Sequence, residues 1–229
     1  DPIPAEETAA RELQAHLQLV TGAEFPIRPE SAVATTDRAI FVGAGQRFAE
    51  ACPDVDLSAL QHDGIVMRTV GPALYLAGGR PRGTLYAVYT FLEDVVGCRW
   101  WTATESYAPR RPTLEVPELN TVYVPKLQYR EAFYRGAFDG VFAARLKTNG
   151  HFEAIPPEYG GHYRLLGWCH TFYQLLPPEQ YFAAHPEWYS LIGGKRVYEG
   201  AQLCLTNDEM RAELTRRALE WIRKEPDAG

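Results

Sequence analysis

Cysteine is scarce in this sequence. Four cysteines occur among 229 residues, and no two of them form a CxxC pair. Structural zinc sites usually need such closely spaced pairs, and small disulfide scaffolds need a higher cysteine density. Both classes are therefore excluded. Cys169 and Cys204 lie in segments predicted to be strands or loops, so a disulfide between them and buried free thiols are both open alternatives.

Long apolar runs and an excess of basic charge are also absent. No run approaches the roughly 18–20 residues of a membrane span. Lys and Arg number 23 against 29 Asp and Glu, which gives a net charge of −6. An acidic balance argues against non-specific nucleic-acid binding and against a polybasic membrane surface. We therefore expect no nucleic-acid partner and no membrane partner. Residues 1–4 do not form a signal peptide and look like a trimmed boundary.

The common catalytic signatures are missing too. The sequence has no P-loop, no GxSxG and no HExxH motif. Gly43 and Gly45 follow a predicted strand, but the third glycine and the long helix of a dinucleotide fold are lacking. His151, His162 and His170 do not have the spacing of metal ligands. We therefore expect no cofactor and no metal.

Aromatic residues, in contrast, are plentiful. Phe, Tyr and Trp make up 12% of the chain, and the second half is especially rich in them. Aromatic faces stack on sugar rings and also fill protein cores. Most of these side chains are expected to pack in a core, while a few are candidates for ligand contact.

The first hundred residues predict an α+β layer. Helical periodicity appears at residues 5–21 and 81–96, strands are predicted at 25–28 and 39–42, and a hairpin turns on Gly71-Pro72. Helices would then cover one face of a small mixed sheet. We assign residues 1–112 to this α+β accessory domain. Residues 113–125, within a proline-rich stretch, are predicted to be an extended linker.

The pattern of predicted strands and helices changes after the linker. Strands are predicted at 127–134 and 165–171, with helices at 138–147 and from Pro178 to Ala184. A hairpin at 189–198 and a helix reaching residue 224 follow. Alternation of strand and helix is how a (β/α)8 barrel begins. Residues 126–229 are therefore predicted to be the incomplete N-terminal part of a TIM-barrel-like domain.

The candidate site residues lie at the ends of the two predicted barrel strands. Arg130 and Glu131 are on the first strand, where charges at the carboxyl end point into the mouth of a barrel. A structural ion pair, for example between Arg130 and Asp139, is an equally open alternative. Trp168 and His170 are on the second strand, where a histidine can bind a sugar hydroxyl or transfer a proton. No two carboxylates stand out as the pair a glycosidase needs.

The second half carries an ordered string of motifs: QYRE at 128–131, AARLKTNG at 143–150, HTF at 170–172, HPEWYSL at 185–191, GKR at 194–196 and QLCLTN at 202–207. This string resembles domain-of-unknown-function family 4838, whose proteins are similar to α-glucuronidases of glycoside hydrolase family 67. The first half has residues 10–22, IFVG at 40–43 and RGTLYAVYTFLE at 82–93. These segments resemble the small α+β domain that precedes the barrel in α-glucuronidases and β-hexosaminidases.

The resemblance implies a parent glycoside hydrolase that acts on an oligosaccharide or polysaccharide, with a uronic acid as one candidate sugar. Arg130 would grip sugar hydroxyls and His170 would contact the substrate. Glu131, Asn149 and Trp168 complete the candidate binding set, although Asn149 also suits a structural role. The acids of such barrels usually come from later strands, so this chain is expected to be a fragment without the catalytic carboxylates.

Two alternatives to an enzyme stay open. In one, the aromatic-rich second half binds glycan without cleaving it. In the other, the unpaired strand edges of an incomplete barrel recruit a partner chain. A polysaccharide substrate implies a secreted or periplasmic location, and the oligomeric state is left open.

Overall fold

The computed structural model describes residues 1–34 and 36–226. They form two compact units, residues 1–163 and 164–229, each considered by itself below. The fold is mixed α/β, as predicted. In the part of the chain that the structure describes, no helix is both long enough and apolar enough to cross a membrane.

Helix α1 (Pro4–Thr21) opens the first unit and confirms the predicted helix. Proline suits its first turn, where no backbone donor is needed, and the backbone N–H of Ile3 donates to Glu6 at 3.0 Å. Gly22 ends the helix with a left-handed backbone, φ 77°. Leu13 and Leu17 lie on its buried face.

The strands of the first unit build a four-stranded sheet and a short separate hairpin. The sheet order is β1-β3-β2-β6, with β1 parallel to β3 and the other neighbours antiparallel. The hairpin pairs β4 with β5. In chain order the strands are β1 (Ile40–Val42), β2 (Ile65–Val70), β3 (Ala73–Gly78), β4 (Arg99–Trp100), β5 (Ser106–Tyr107) and β6 (Asn120–Tyr123).

Both faces of the sheet are covered. Alternation along β2 and β3 sends Met67 and Leu76 into the main core with α1, and Val66 and Tyr75 into a smaller core on the opposite face. Helix α2 (Gln46–Ala51) covers that second face with the buried ring of Phe48.

Helix α3 (Gly83–Phe91) is buried along nearly its whole length, so its sequence is apolar rather than striped. It continues as one wider turn to Gly97. Helix α4 (Gly140–Arg145) packs Phe142, Ala143 and Ala144 into the same core as α1 and α3. The main core therefore includes a helix from beyond the predicted linker.

Several predicted elements differ from the structure. No strand forms at 25–28, 127–134 or 165–171, and the predicted linker contains β6, which pairs with β2. Pro26 removes a backbone donor from the first of these segments, and Pro29 follows that segment directly. Gly167 and His170 have positive φ angles of 65° and 53°, which interrupt an extended chain in the third.

The second unit is small and aromatic. Its helices are α5 (Phe172–Leu175), α6 (Pro178–Tyr181) and α7 (Asp208–Lys224), and its hairpin pairs β7 (Ser190–Ile192) with β8 (Lys195–Val197). The predicted hairpin and the long last helix are confirmed. The core of the unit contains Leu176, Trp188, Tyr189, Leu203 and Met210.

All four cysteines are free. Cys52 and Cys98 are buried, whereas Cys169 is exposed and Cys204 is half-buried. Of the two alternatives for Cys169 and Cys204, the structure therefore has free thiols, although neither thiol is fully buried.

Candidate functional site

Two segments, one before and one after α4, lie side by side, and the second runs into a turn at residues 151 and 152. The backbone N–H of Asn149 donates to the carbonyl of Arg130 at 2.9 Å, and the N–H of Ala132 donates to Oε1 of Glu153 at 3.3 Å. The residue numbers of the hydrogen-bonded partners increase together along both segments, so the two segments run parallel. We call residues 128–132 and 149–153 the paired segments.

Arg130 points away from solvent and into an ion pair. Its Nη2 lies 3.0 Å from Oδ2 of Asp63, and its Nε and Nη1 donate to the carbonyls of Lys147 and Leu127 at 3.0 and 2.8 Å. The side chain is 20% exposed. Of the two roles considered from the sequence, the structure shows the ion pair. The partner is Asp63 and not Asp139, which instead caps α4.

Asp63 is the centre of a buried polar network. Its carboxylate accepts hydrogen bonds from Arg82 Nε at 2.6 Å, from Asn149 Nδ2 at 2.6 Å and from Arg130. Asn149 is fully buried, and its amide also bonds the backbone N–H of Arg130 and the carbonyl of Gln128. Such charge-assisted bonds fix position strongly in a desolvated site. Asn149 therefore holds the paired segments to the loop that contains Asp63.

Glu131 points to the other side of the same segment. Its Oε1 accepts the backbone N–H of Phe152 at 3.0 Å, and its Oε2 accepts the hydroxyl of Tyr129. Burial and the hydrogen bond to Glu131 raise the pKa of Tyr129, so the phenol stays a donor. A Cβ on Gly150 would lie 2.5 Å from Cβ of Glu131, so only glycine leaves room for the carboxylate arm.

A cluster of phenylalanines adjoins Glu131. The ring centroids of Phe133 and Phe138, and of Phe133 and Phe152, are 5.3 Å apart in edge-to-face contact. Phe133 is 64% exposed and Phe152 is 38% exposed. We call Phe133, Phe138 and Phe152 the phenyl patch. Exposed aromatic rings beside a half-buried carboxylate are suited to contact with a sugar ring.

Glu153 does not share the accessibility of Glu131. It is fully buried, and its Oε2 accepts the N–H of Gly150 at 2.8 Å while Oε1 accepts that of Ala132. Asp63 is also buried, and its carboxylate accepts three hydrogen bonds. Among these three carboxylates, Glu131 is therefore the most exposed. Over the described residues, no group of three or more His, Cys, Asp or Glu side chains could hold a metal ion.

Comparison with known families decides the classification. A family model described as a domain of unknown function (DUF4838) matches residues 100–229. The chain belongs to the DUF4838 family. A second model, the glycosyl hydrolase family 67 N-terminus, matches residues 2–91 of this DUF4838 chain. The resemblance predicted from the sequence is thus confirmed.

The curated relatives are α-glucuronidases. The DUF4838 chain is 27% identical to a probable α-glucuronidase A of Aspergillus niger over 106 residues, which is 46% of this chain and 12% of that protein. It is 29% identical to α-glucuronidase A of Aspergillus tubingensis over 89 residues, 39% of this chain and 10% of that protein. The matched region thus spans about a tenth of the length of these relatives.

A solved structure shows a similar fold. It is a family GH115 4-O-methyl-α-glucuronidase with specificity for decorated arabinogalactans, at TM-score 0.55 and 14% identity. The match covers 99% of the DUF4838 chain and 39% of that protein. At this identity the likeness concerns the fold alone.

The site residues predicted from the sequence fall into both units. Arg130, Glu131 and Asn149 lie together in the first unit of the DUF4838 chain, and Trp168 and His170 lie in the second, where both are exposed. Sequence reasoning missed the phenyl patch and Asp63. A signal for Phe133 was available, because it lies two positions after Glu131 in a predicted strand and so on the same side. Nothing local marks Asp63.

Proposed function

We propose that this chain supplies the accessory domain and the opening of the barrel of a secreted or periplasmic glycoside hydrolase. Its substrate would be a polysaccharide or oligosaccharide that carries α-linked glucuronic acid or the 4-O-methyl ether. The family 67 match and the α-glucuronidase relatives support this class of reaction. The observation that carries the proposal is the placement of Glu131 and the phenyl patch on parallel segments joined by a helix.

In the proposed barrel, the paired segments and α4 would form one β/α unit. In such a barrel the carboxyl ends of the strands form the mouth of the site. The guanidinium of Arg130 contacts the carbonyls of Leu127 and Lys147, both on the amino side of the paired segments. Phe133 and Phe152 lie at or just beyond the opposite ends. The mouth would therefore lie on the side of the phenyl patch.

This geometry assigns different roles to neighbouring residues. Glu131 would accept hydrogen bonds from sugar hydroxyls, and the phenyl patch would contact the apolar face of the ring. Arg130 and Asn149 would not contact the sugar but would hold the paired segments in position. Trp168 and His170 stay candidates for sugar contact because both side chains are exposed. Asp63 and Glu153 are enclosed by hydrogen bonds, so the acid and base would come from other parts of the protein.

The proposal is tested on the native enzyme by measuring 4-O-methylglucuronic acid released from 4-O-methylglucuronoxylan oligosaccharides. Loss of one charge-assisted contact costs about 1.5–3 kcal/mol, so we expect Glu131→Gln to lower kcat/KM by roughly ten- to a hundredfold. Glu158→Gln, an exposed carboxylate of the same unit, is the matched control. No release of 4-O-methylglucuronic acid, or equal kcat/KM for both variants, would overturn the proposal.

A glycan-binding module is the second candidate. It is favoured by the burial of Asp63 and Glu153, which leaves one accessible carboxylate among the three around the paired segments. Calorimetry with D-glucuronate separates the two functions. Binding that depends on Glu131 without release of sugar by the native protein supports the module.

A further inference from the structure

A cleft in the first unit contains neither Glu131 nor any residue of the phenyl patch. Its volume is about 280 Å³. Its floor is apolar, formed by Leu60, Val124 and Pro125. Its polar lining comes from Gln61, His62, Asp63, Gln128, Arg130 and Tyr163. Ligand sites typically combine such an apolar surface with a few directional polar groups.

Several of these polar groups have no protein partner in the part of the chain that the structure describes. The Tyr163 hydroxyl and both ring nitrogens of His62 make no hydrogen bond there, although the two rings lie beside each other with centroids 6.4 Å apart. Gln128 Nε2 donates to Gln61 Oε1 at 3.2 Å, which leaves the other half of each amide unused. A ligand in the cleft would therefore meet one hydroxyl, one imidazole and two amide groups.

The backbone at Gln61 is strained. Its φ of 54° and ψ of −141° lie in a region that glycine occupies readily and that costs other residues about 1–3 kcal/mol. Strain of this kind persists where surrounding contacts enforce it, and it concentrates at binding sites. The side chains of Gln61 and His62 are exposed, so the packing of these side chains does not explain the strain.

Backbone contacts hold the loop of Gln61 and His62 in place. A Cβ on Gly79 would lie 1.9 Å from the carbonyl oxygen of Gln61, so the two backbones touch where no side chain fits. The carbonyl of His62 accepts the backbone N–H groups of Arg82 and Gly83 at 3.2 and 3.1 Å. The loop is thus fixed before any ligand arrives, which lowers the entropy cost of binding.

The chemistry of the cleft indicates its ligand. One aromatic ring, amide groups and an apolar floor match the alternation of C–H faces and hydroxyls on a sugar. Two guanidiniums already accompany the Asp63 carboxylate, so the cleft holds no unpaired acid that would select a cation. The volume is at the small end for ligand sites, enough for one ring and not for an oligosaccharide. We propose that this cleft binds a single pyranose unit of a glycan.

The test uses the whole chain and three probes: methyl β-D-xylopyranoside, methyl α-D-glucopyranoside and D-glucuronate. Titration is followed by the side-chain amide signals of Gln61 and Gln128 in ¹H–¹⁵N spectra. We expect saturable shifts with at least one probe. Tyr163→Phe, which removes one hydroxyl, should weaken that binding about three- to tenfold. Phe152→Ala should leave it unchanged, which separates this cleft from the site of the proposed function.

A second variant shows whether weaker binding of the probe is caused by loss of folding. Gln61→Gly relieves the backbone strain, so it should raise the melting temperature while weakening the binding of the probe. The absence of saturable shifts with all three probes would overturn the proposal. So would full affinity in both Tyr163→Phe and Gln61→Gly, or loss of the shifts in Phe152→Ala.

Discussion

Asp63 and Arg130 lie 67 positions apart in the chain, and their side chains meet in an ion pair of 3.0 Å. Asp63 precedes β2, and Arg130 belongs to the first of the paired segments. Because Asn149 joins the same carboxylate, one buried side chain sets the position of both paired segments. The part matched by the family 67 model and the part matched by the DUF4838 model therefore meet in a shared polar core.

Replacing Asp63 should destabilise the first unit strongly. In Asp63→Asn the buried guanidinium of Arg82 loses its countercharge, and breaking a buried pair in this way costs about 3–5 kcal/mol. Urea unfolding followed by circular dichroism measures the change. Asp54→Asn is the control, because Asp54 pairs with Arg68 at the surface and should change the unfolding midpoint little. Equal midpoints for the two variants would contradict the assignment of Asp63 as the centre of the network.

Tyr189 should make the second unit sensitive to high pH. Burial raises the pKa of its hydroxyl to about 12, and the hydroxyl donates to the carbonyl of Leu176 at 3.1 Å. Below the unfolded pKa of about 10 the phenol is neutral in both states, so its contribution is intact. Above pH 10 the unfolded chain ionises first, and stability falls by about 1.4 kcal/mol per pH unit. Tyr189→Phe should flatten this decline in unfolding curves measured from pH 9 to 11.5, and an unchanged slope would show that Tyr189 does not titrate as described.

Two of the four thiols should react with an alkylating reagent in the native chain, and the other two should be protected. Burial raises the pKa of Cys98 to about 11 and also raises that of Cys52. The hydrogen bond with Thr206, at 3.4 Å between sulfur and oxygen, lowers the pKa of Cys204. At pH 8 we expect iodoacetamide to label Cys204 and the exposed Cys169 in the native chain, and all four in urea. Mass spectrometry of tryptic peptides provides the measurement, and native labelling of Cys98 would contradict its burial.

Truncation should show where the first folding unit ends. A fragment of residues 1–163 keeps Phe142 and Ile155 in the main core, whereas a fragment of 1–125 loses both. Full burial of one such side chain contributes about 1.5–3 kcal/mol. We expect the longer fragment to melt cooperatively and the shorter one to melt at a clearly lower temperature, or not to fold. Similar melting temperatures would place the boundary at the predicted linker instead.

Local patterns predicted the longer helices and the hairpins correctly, but not the strands at 127–134 and 165–171. Helix α1, the hairpin of β2 and β3, and helix α7 each combine a clear periodicity with turn or capping residues next to them. Such signals lie within a few residues of the element they specify. The paired segments were harder to predict from the sequence. Their hydrogen bonds come largely from the side chains of Asn149, Glu131 and Glu153, and no periodic pattern encodes those bonds.

The candidate site was predicted in part for the same reason. Arg130 and Asn149 were identified as important, but whether a charged side chain faces a ligand or a buried partner depends on a residue far away in sequence. Asp63 carries no local signal and lies 67 and 86 positions from its partners in the paired segments. The phenyl patch needed two separate stretches of chain to be brought together before its exposure could be recognised.

The packing of α4 against α1 and α3 has a consequence for protein engineering. A chimaera built on the predicted accessory domain, residues 1–112, would lack α4. Here a cut at the seam between the two family matches, residues 91 and 100, would pass through side chains that share one hydrophobic interior. A chimaera that is to keep this interior intact would therefore have to take residues 1–163 from one parent.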